Sequence, residues 1–296
     1  MGASAARIPV HPRSESRPIV GRTARHLDRP HARLGCVAHA GPAGIVAVAL
    51  PTECQTRTID TLTAFFSDLF TPTAPLDISP PALVAIIAVA ALLSVPRATW
   101  QWFGLFATLV HELGHAFAAV LSGRVVHGIR IRRNHSGDAM SSGRGVFGTV
   151  LSGVFGYPAP AIVGAALLWS VFAGFTAPAL LIGGVILVLT VLVIRNLFGV
   201  LVVLASAGVA ALLWFYASPE TQGYALLVLG VALLVGSVRG LATVVGVHTS
   251  RRAQLQTSDA YLLFKRTGVP SPVWLALFAA LIAASVVFAV WSYLSR

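Results

Sequence analysis

The chain has 296 residues, of which 56% are hydrophobic and only 10% are charged. This excludes an ordinary soluble domain, in which about a quarter of the residues are charged. The formal net charge of +11 comes from 21 basic and ten acidic residues, and the basic residues lie between long apolar runs instead of clustering on one soluble face. The charge therefore indicates membrane topology and argues against a nucleic-acid partner.

The first part of the chain contains no apolar run long enough to span a bilayer. Residues 1–58 are rich in arginine and lack sustained periodicity, and we predict that they are disordered. Residues 59–72 place leucine and phenylalanine at helical spacing opposite threonine and aspartate. This pattern predicts an amphipathic helix at the membrane surface, although a helix packed on the protein fits it as well.

Residues 80–296 are predicted to form a membrane-embedded domain of the all-α polytopic class, with about seven (six to seven) transmembrane helices. The apolar runs cover approximately residues 81–95, 98–122, 147–173, 178–195, 197–217, 223–246 and 273–294. The third run contains Gly156, Pro158 and Pro160. These residues predict a kink or a break, because proline cannot donate a helical hydrogen bond.

The distribution of basic residues predicts the orientation of these spans. Basic residues favour the cytoplasmic side, and ten of them fall on one side of the predicted topology while two fall on the other. The ten are Arg124, Arg130, Arg132, Arg133, Arg144, Arg195, Arg251, Arg252, Lys265 and Arg266, and the two are Arg97 and Arg296. We therefore expect a cytoplasmic N-terminus, an external C-terminus, and Arg239 in the cytoplasmic third of its span.

The second apolar run contains the sequence His111-Glu112-Leu113-Gly114-His115, an H-E-x-x-H motif. On a helix, positions i and i+4 lie one above the other, so the imidazoles of His111 and His115 can bind one metal ion. Imidazole is a good ligand for zinc, and Glu112 can act as the general base for the attacking water. An ionised glutamate in the middle of a bilayer costs about 3 kcal/mol, which favours a functional role.

A catalytic zinc site needs a third protein ligand. Cys36 and Cys54 precede the apolar runs, so the ligand must be a histidine or an acid. The polar residues considered are Asp138, His127, His135, His248, Asp259 and Glu220. Glu220 is excluded because its loop is predicted to be external. Asp259 is favoured because it opens a short apolar stretch on the cytoplasmic side, although Ser258 or Asp259 could serve only as a helix N-cap.

The sequence resembles the site-2 protease family of intramembrane zinc metallopeptidases, in particular its small branch without PDZ or CBS domains. The resemblance covers about residues 60–296. It is carried by HELGHAFAAVLSG at 111–123, VVHGIRI at 125–131, GYPAP at 156–160, RNLFG at 195–199 and TSDAYLLFKRTGVP at 257–270. The first and the last of these motifs are the most specific.

The resemblance implies one zinc ion per chain, bound by His111, His115 and Asp259. The chain departs from the better-known members, in which glycine follows the distant aspartate, because Ala260 stands at that position. Asn196 is the nearest analogue of an asparagine near the family's site. It could donate a hydrogen bond to substrate or oxyanion, or it could cap a helix.

The polar segment after the metal motif predicts a short β-hairpin. The sequence at 125–131 alternates, residues 134–138 favour a turn, and residues 139–145 could return as a second strand. Such a hairpin could pair with an unwound substrate, or the segment could be a plain basic loop.

These features predict an intramembrane zinc metalloprotease that cleaves a membrane-embedded or membrane-adjacent protein near the cytoplasmic face. The alternative is a non-catalytic membrane protein, either a metal-ion carrier or a degenerate protease scaffold. The use of arginine with a single lysine indicates a GC-rich genome, and we expect a multi-pass protein of a bacterial plasma membrane.

Overall fold

A computed structural model of the protein describes residues 60–61, 63–64 and 67–296. Contacts between Cα atoms join residues 61–296 into one compact unit. The predicted disordered segment, residues 1–58, lies outside the described residues. Within the predicted surface helix, the described residues at 60–61, 63–64 and 67–70 are helical. The position of this helix at a membrane surface stays a prediction.

Helices dominate the described part of the chain. They are α1 (Pro80–Ser94), α2 (Arg97–Leu121), α3 (Val146–Val154), α4 (Ala159–Phe172), α5 (Thr176–Thr190), α6 (Leu197–Tyr216), α7 (Pro219–Thr249), α8 (Asp259–Thr267) and α9 (Ser271–Leu294). Two strands, β1 (Val125–Ile131) and β2 (Gly137–Ser142), follow α2, and a 3-10 helix (Arg252–Thr257) precedes α8.

The predicted number of seven spans is not confirmed. Helices α2, α6, α7 and α9 are long and apolar enough to cross a membrane, and the pair α3–α4 makes a fifth candidate if it is counted as one span. Helices α1 and α5 have 15 residues each, which gives a length of about 22 Å against a hydrocarbon core of about 30 Å. Helix α1 stops before Pro96, which has no N–H to continue it. Helix α5 stops because residues 193–195 pair with β1.

The predicted break in the third apolar run is confirmed. Helices α3 and α4 are bent by 63° relative to each other, and the break falls at residues 155–158. Proline favours the first turn of a helix, and Pro160 lies there in α4. The break brings its backbone close to α2, because a Cβ atom at Gly114 would overlap the carbonyl oxygen of Phe155.

Several helices present apolar faces that no other part of the described chain covers. In the most apolar 18-residue stretch of each helix, only 11% of α6 and 22% of α9 is buried. The exposed side chains include Leu197, Phe215 and Val287. Such surfaces are unfavourable in water and suited to lipid. Together with the long apolar helices, they show a multi-pass membrane protein.

The predicted hairpin is confirmed. Strands β1 and β2 pair antiparallel, with Ile129 opposite Ala139 and an irregularity between Val126 and Gly128. The fully buried Ile129 and Ile131 pack against residues of α2 and α6. The outer edge of β1 is occupied, because the Ile129 N–H donates to the Val193 carbonyl at 2.8 Å and the Ile129 carbonyl accepts from the Arg195 N–H at 2.9 Å. The outer edge of β2 has no partner strand in the described part of the chain.

The hairpin folds back along α2 instead of extending away from it. A ring nitrogen of His135, in the turn, lies 3.2 Å from the carbonyl oxygen of Gln101. The hydroxyl of Thr108 donates to the carbonyl of His135 at 3.3 Å. The strands therefore lie beside the helix that carries the H-E-x-x-H motif.

The turn between α1 and α2 packs against the middle of α7. The guanidinium of Arg239 donates to the carbonyls of Ser94 at 2.9 Å and Val95 at 2.7 Å, and it lies 4.4 Å from the centre of the Trp100 ring. From the sequence, Arg97 is predicted to lie on the external side and Arg239 toward the cytoplasm. In the structure, Arg239 contacts the turn that precedes Arg97. If the spans are straight, residues that lie this close together share one side of the membrane, so the predicted positions of Arg97 and Arg239 cannot both be correct.

Candidate metal centre

The two histidines of the H-E-x-x-H motif lie one turn apart on α2, as predicted. Their Nε2 atoms are 3.0 Å from each other. The Nδ1 of His115 lies 2.6 Å from the carbonyl oxygen of Ser152 in α3. A donor bond from Nδ1–H to this carbonyl leaves Nε2 unprotonated and directed toward His111, which is the form of imidazole that binds a metal.

Asp259, at the first position of α8, completes a cluster with these histidines. Its Oδ2 atom is 3.4 Å from Nε2 of His111 and 3.2 Å from Nε2 of His115. Ligands about 2.0–2.1 Å from a tetrahedral zinc ion are separated by about 3.3 Å. The three separations therefore match one face of a zinc coordination tetrahedron. Among the described residues, this is the cluster of histidine and acid side chains that could hold a metal ion.

Two further observations fit a metal at this position. The Oδ2 atom of Asp259 is buried without a hydrogen-bond partner, although buried polar atoms are normally paired. Gly156, in the break between α3 and α4, faces both imidazoles, and a Cβ atom there would overlap the ring of His115. The absence of a side chain thus keeps open the space in front of the histidines.

The charge state of Asp259 also suits a cation. Burial alone would raise the pKa of this carboxyl group, but the adjacent imidazoles of His115 and His111 lower it by more, and its pKa lies well below the usual range. A lowered pKa favours the deprotonated carboxylate, which is the form that binds a cation. Its position is supported by Ser258, whose hydroxyl bonds the ring of His248 at the end of α7, 2.9 Å away.

Glu112 lies beside the cluster and is 4% exposed. Its carboxylate contacts the first residue of β2 so closely that a Cβ atom at Gly137 would overlap it. A carboxylate in this position has access to the metal cluster on one side and to the backbone of the hairpin on the other. It forms no ion pair with a described residue.

The sequence analysis did not identify Tyr157 as a site residue. Its ring packs edge-on against His111, with the ring centres 4.8 Å apart, and stacks on Phe278 of α9 at 5.5 Å. The residue lies within the quoted motif GYPAP. In the sequence, Tyr157 is distinguished only by its position beside the predicted break. This position does not indicate which helix the tyrosine ring contacts.

Asn196 bonds the hairpin and is not a member of the metal cluster. Its amide nitrogen donates to the carbonyl of Ile131 at 2.8 Å, and its Oδ1 accepts from the Ile131 N–H at 3.1 Å. It occupies the N-cap position of α6 but makes no side-chain capping bond. Its predicted contact with substrate stays a prediction.

The other residues considered as third ligand have partners elsewhere. Asp138 pairs with Arg132, and His127 bonds the hydroxyl of Ser142 at 2.6 Å. His135 and His248 have the contacts described above. Asp259 is therefore the acid that the structure brings to His111 and His115.

Comparison with known proteins identifies the family of the chain. No curated protein and no solved structure gives a significant match. A family model described as Peptidase M50B-like matches residues 83–290, a range that contains both histidines, Glu112 and Asp259. The resemblance to the site-2 proteases is thereby confirmed, and the protein belongs to the Peptidase M50B-like family.

Proposed function

We propose that the protein is an intramembrane zinc metalloendopeptidase that hydrolyses a peptide bond of a membrane-embedded or membrane-adjacent protein near the cytoplasmic face. The observation that carries the proposal is the grouping of His111, His115 and Asp259 beside Glu112. In this assignment the first three residues bind one zinc ion per chain. Glu112 is the catalytic residue.

The chemistry follows from the position of these side chains. A zinc ion bound by this trio would supply a Lewis acid that polarises the scissile carbonyl and acidifies the attacking water. The Glu112 carboxylate takes a proton from that water and returns it to the leaving amine as the peptide bond breaks. The carbonyl of Ser152 holds the imidazole of His115 in one tautomer and orientation.

The hairpin suggests how a substrate reaches Glu112. A transmembrane helix hides its peptide bonds, so a substrate must unwind locally before cleavage. Strand β1 already has partners on both edges, whereas β2 begins at the Glu112 carboxylate and keeps one edge free among the described residues. We therefore propose that the unwound substrate pairs as an added strand with the free edge of β2. In this arrangement Asn196 supports the opposite edge of the hairpin.

Replacement of Glu112 tests the mechanism. Glu112→Ala should leave the zinc content of the purified full-length chain unchanged and lower cleavage of a model transmembrane substrate by at least about a hundredfold, because a general base is lost. Asp259→Ala is the matched comparison and should lower both zinc content and cleavage. Wild-type cleavage by Glu112→Ala would disprove the mechanism.

The alternatives make different predictions for the wild-type chain. A metal-ion carrier should move zinc across a vesicle membrane and cleave nothing, and a degenerate scaffold should do neither. Carriers place ionisable residues along several spans. In the four long apolar helices of the described structure, such residues are few outside the metal cluster, which favours the peptidase.

A further inference from the structure

A second polar cavity lies outside the metal cluster. Its volume is about 320 Å³, and it opens where the end of β2, the start of α3 and the end of α8 meet. The lining residues are Arg124, Gly143, Gly145, Val146, Thr149 and Arg266. Two arginines thus face one cavity with no acidic residue in its wall.

Arg124 is held in a fixed position. Its Nε donates to the hydroxyl of Ser141 at 3.2 Å, its Nη2 to the carbonyl of Ser141 at 3.2 Å, and its Nη1 to the hydroxyl of Thr149 at 3.0 Å. All these partners are neutral, so its charge is not compensated. Arg266 is exposed, and neither arginine forms an ion pair with a described residue.

The surrounding backbone makes room for the Arg124 side chain. A Cβ atom at Gly143 would lie 2.8 Å from its Cγ, and one at Gly148 would lie 3.0 Å from its Cδ. Larger residues at either position would displace the guanidinium. These two glycines therefore let the Arg124 side chain lie along the wall of the cavity.

Helix α3 adds a third positive element. Its N-cap is Gly145, and no side chain caps this end. The first N–H groups of a helix have no partner within it, and the helix dipole is positive at this end. These N–H groups and two guanidinium groups therefore meet at the same cavity, an arrangement that favours an anion.

We propose that this cavity binds a phosphate group. The planar fork of Arg266 matches phosphate oxygens in geometry and charge, and Arg124, whose N–H groups mostly bond protein atoms, adds a second positive charge. The cavity is large enough for a phosphate with part of the molecule that carries it. The predicted orientation puts the cavity at the cytoplasmic face of the membrane. The phosphate can therefore come from an anionic lipid headgroup or from a free phosphate in solution.

The position of this phosphate site relates it to the metal cluster, although the proposal does not depend on peptidase activity. Helix α3 carries Ser152, which bonds His115, and helix α8 begins with Asp259 and carries Arg266 near its other end. A bound phosphate would link α8 to α3 and β2. These elements position two proposed metal ligands, His115 and Asp259, and contact the Glu112 carboxylate.

Binding to the full-length chain tests the proposal. Inorganic phosphate is titrated into the chain in a non-ionic detergent, and retention of phosphatidylglycerol against phosphatidylcholine is measured by native mass spectrometry. Arg266→Gln should weaken binding about tenfold, the loss expected for one charge-assisted hydrogen bond. Arg252→Gln removes an equal charge from an exposed residue outside the cavity and should change binding by less than twofold.

Each outcome is decisive. Saturable phosphate binding that Arg266→Gln weakens identifies a free phosphate as a ligand. Selective retention of phosphatidylglycerol without phosphate binding, again sensitive to Arg266→Gln, identifies the lipid headgroup. If the wild type binds neither probe, or if both substitutions weaken binding equally, the proposal is wrong. Arg266 makes no hydrogen bond with a described residue, so its replacement should leave the fold intact.

Discussion

Glu112 and Asp259 are acidic side chains buried beside an apolar helix bundle. A buried charge is unfavourable unless it is paired or binds a metal. Asp259 has its unpartnered Oδ2 atom directed at two imidazoles, and Glu112 contacts the hairpin backbone. Under the proposed function, both carboxylates lie where metal-assisted hydrolysis would need them, which would explain why the chain tolerates them.

At the scale of single residues, one small substitution can fill the space in front of the imidazoles. Gly156→Ala should lower the zinc content per chain and the cleavage rate by about tenfold or more, because the new Cβ would overlap the His115 ring. Gly156 does not adopt a positive φ angle, so the substitution tests space alone.

Gly183→Ala is the matched control for Gly156→Ala. It lies in α5, where a Cβ atom meets nothing within 4 Å, and alanine should be neutral or slightly stabilising there. Zinc content measured by elemental analysis on both purified variants decides the comparison. Normal zinc content in Gly156→Ala would show that the metal ligands are not arranged as in this structure.

The hairpin is the element on which the site depends most. Its β1 edge contacts residues 193–196, and its β2 edge is free among the described residues. Its buried face packs against α2. Asn196 satisfies both backbone groups of Ile131, a fully buried residue. Loss of this side chain would leave a buried donor and a buried acceptor unpaired.

Removal of the Asn196 amide should loosen the hairpin. We expect Asn196→Ala to lower the free energy of local opening by about 1–3 kcal/mol, seen as faster hydrogen exchange at Ile131 and its neighbours. Asn134→Ala is the control, because that side chain bonds only Ser136 within the turn. Unchanged exchange together with a raised KM would instead support the predicted contact of Asn196 with substrate.

At the scale of the whole molecule, the depth of the turn between α1 and α2 determines where the metal cluster lies. Arg239, which bonds this turn, is roughly 30 Å along α7 from Pro219. That distance is about the thickness of the hydrocarbon core. We therefore expect the turn and the start of α7 to lie on opposite faces of the membrane.

Single cysteines can test this topology after Cys36 and Cys54 are replaced by serine. Arg97→Cys and Arg252→Cys should react with an impermeant maleimide only after the membrane is permeabilised, and Ser218→Cys should react in intact cells. The cytoplasmic assignment follows the excess of basic residues on that side. If Arg97→Cys reacts from the same side as Ser218→Cys, α2 crosses the bilayer and the sequence-based placement of Arg97 is correct.

Local sequence patterns were sufficient to predict the membrane class, the break near Pro158, the hairpin and the pairing of His111 with His115. Each of these depends on residues that are close in the sequence, so local periodicity and spacing are sufficient. Its position in the sequence favoured Asp259 among several candidates, and the family resemblance strengthened that choice.

Contacts between residues far apart in the chain could be read from the folded structure alone. Residues 193–195, which the sequence predicts at the end of a span, pair with β1. Tyr157 faces His111, and Arg124 and Arg266 line one cavity. These contacts join elements far apart in the chain. They depend on how the helices pack and on which backbone groups still need partners, and hydrophobic periodicity specifies neither.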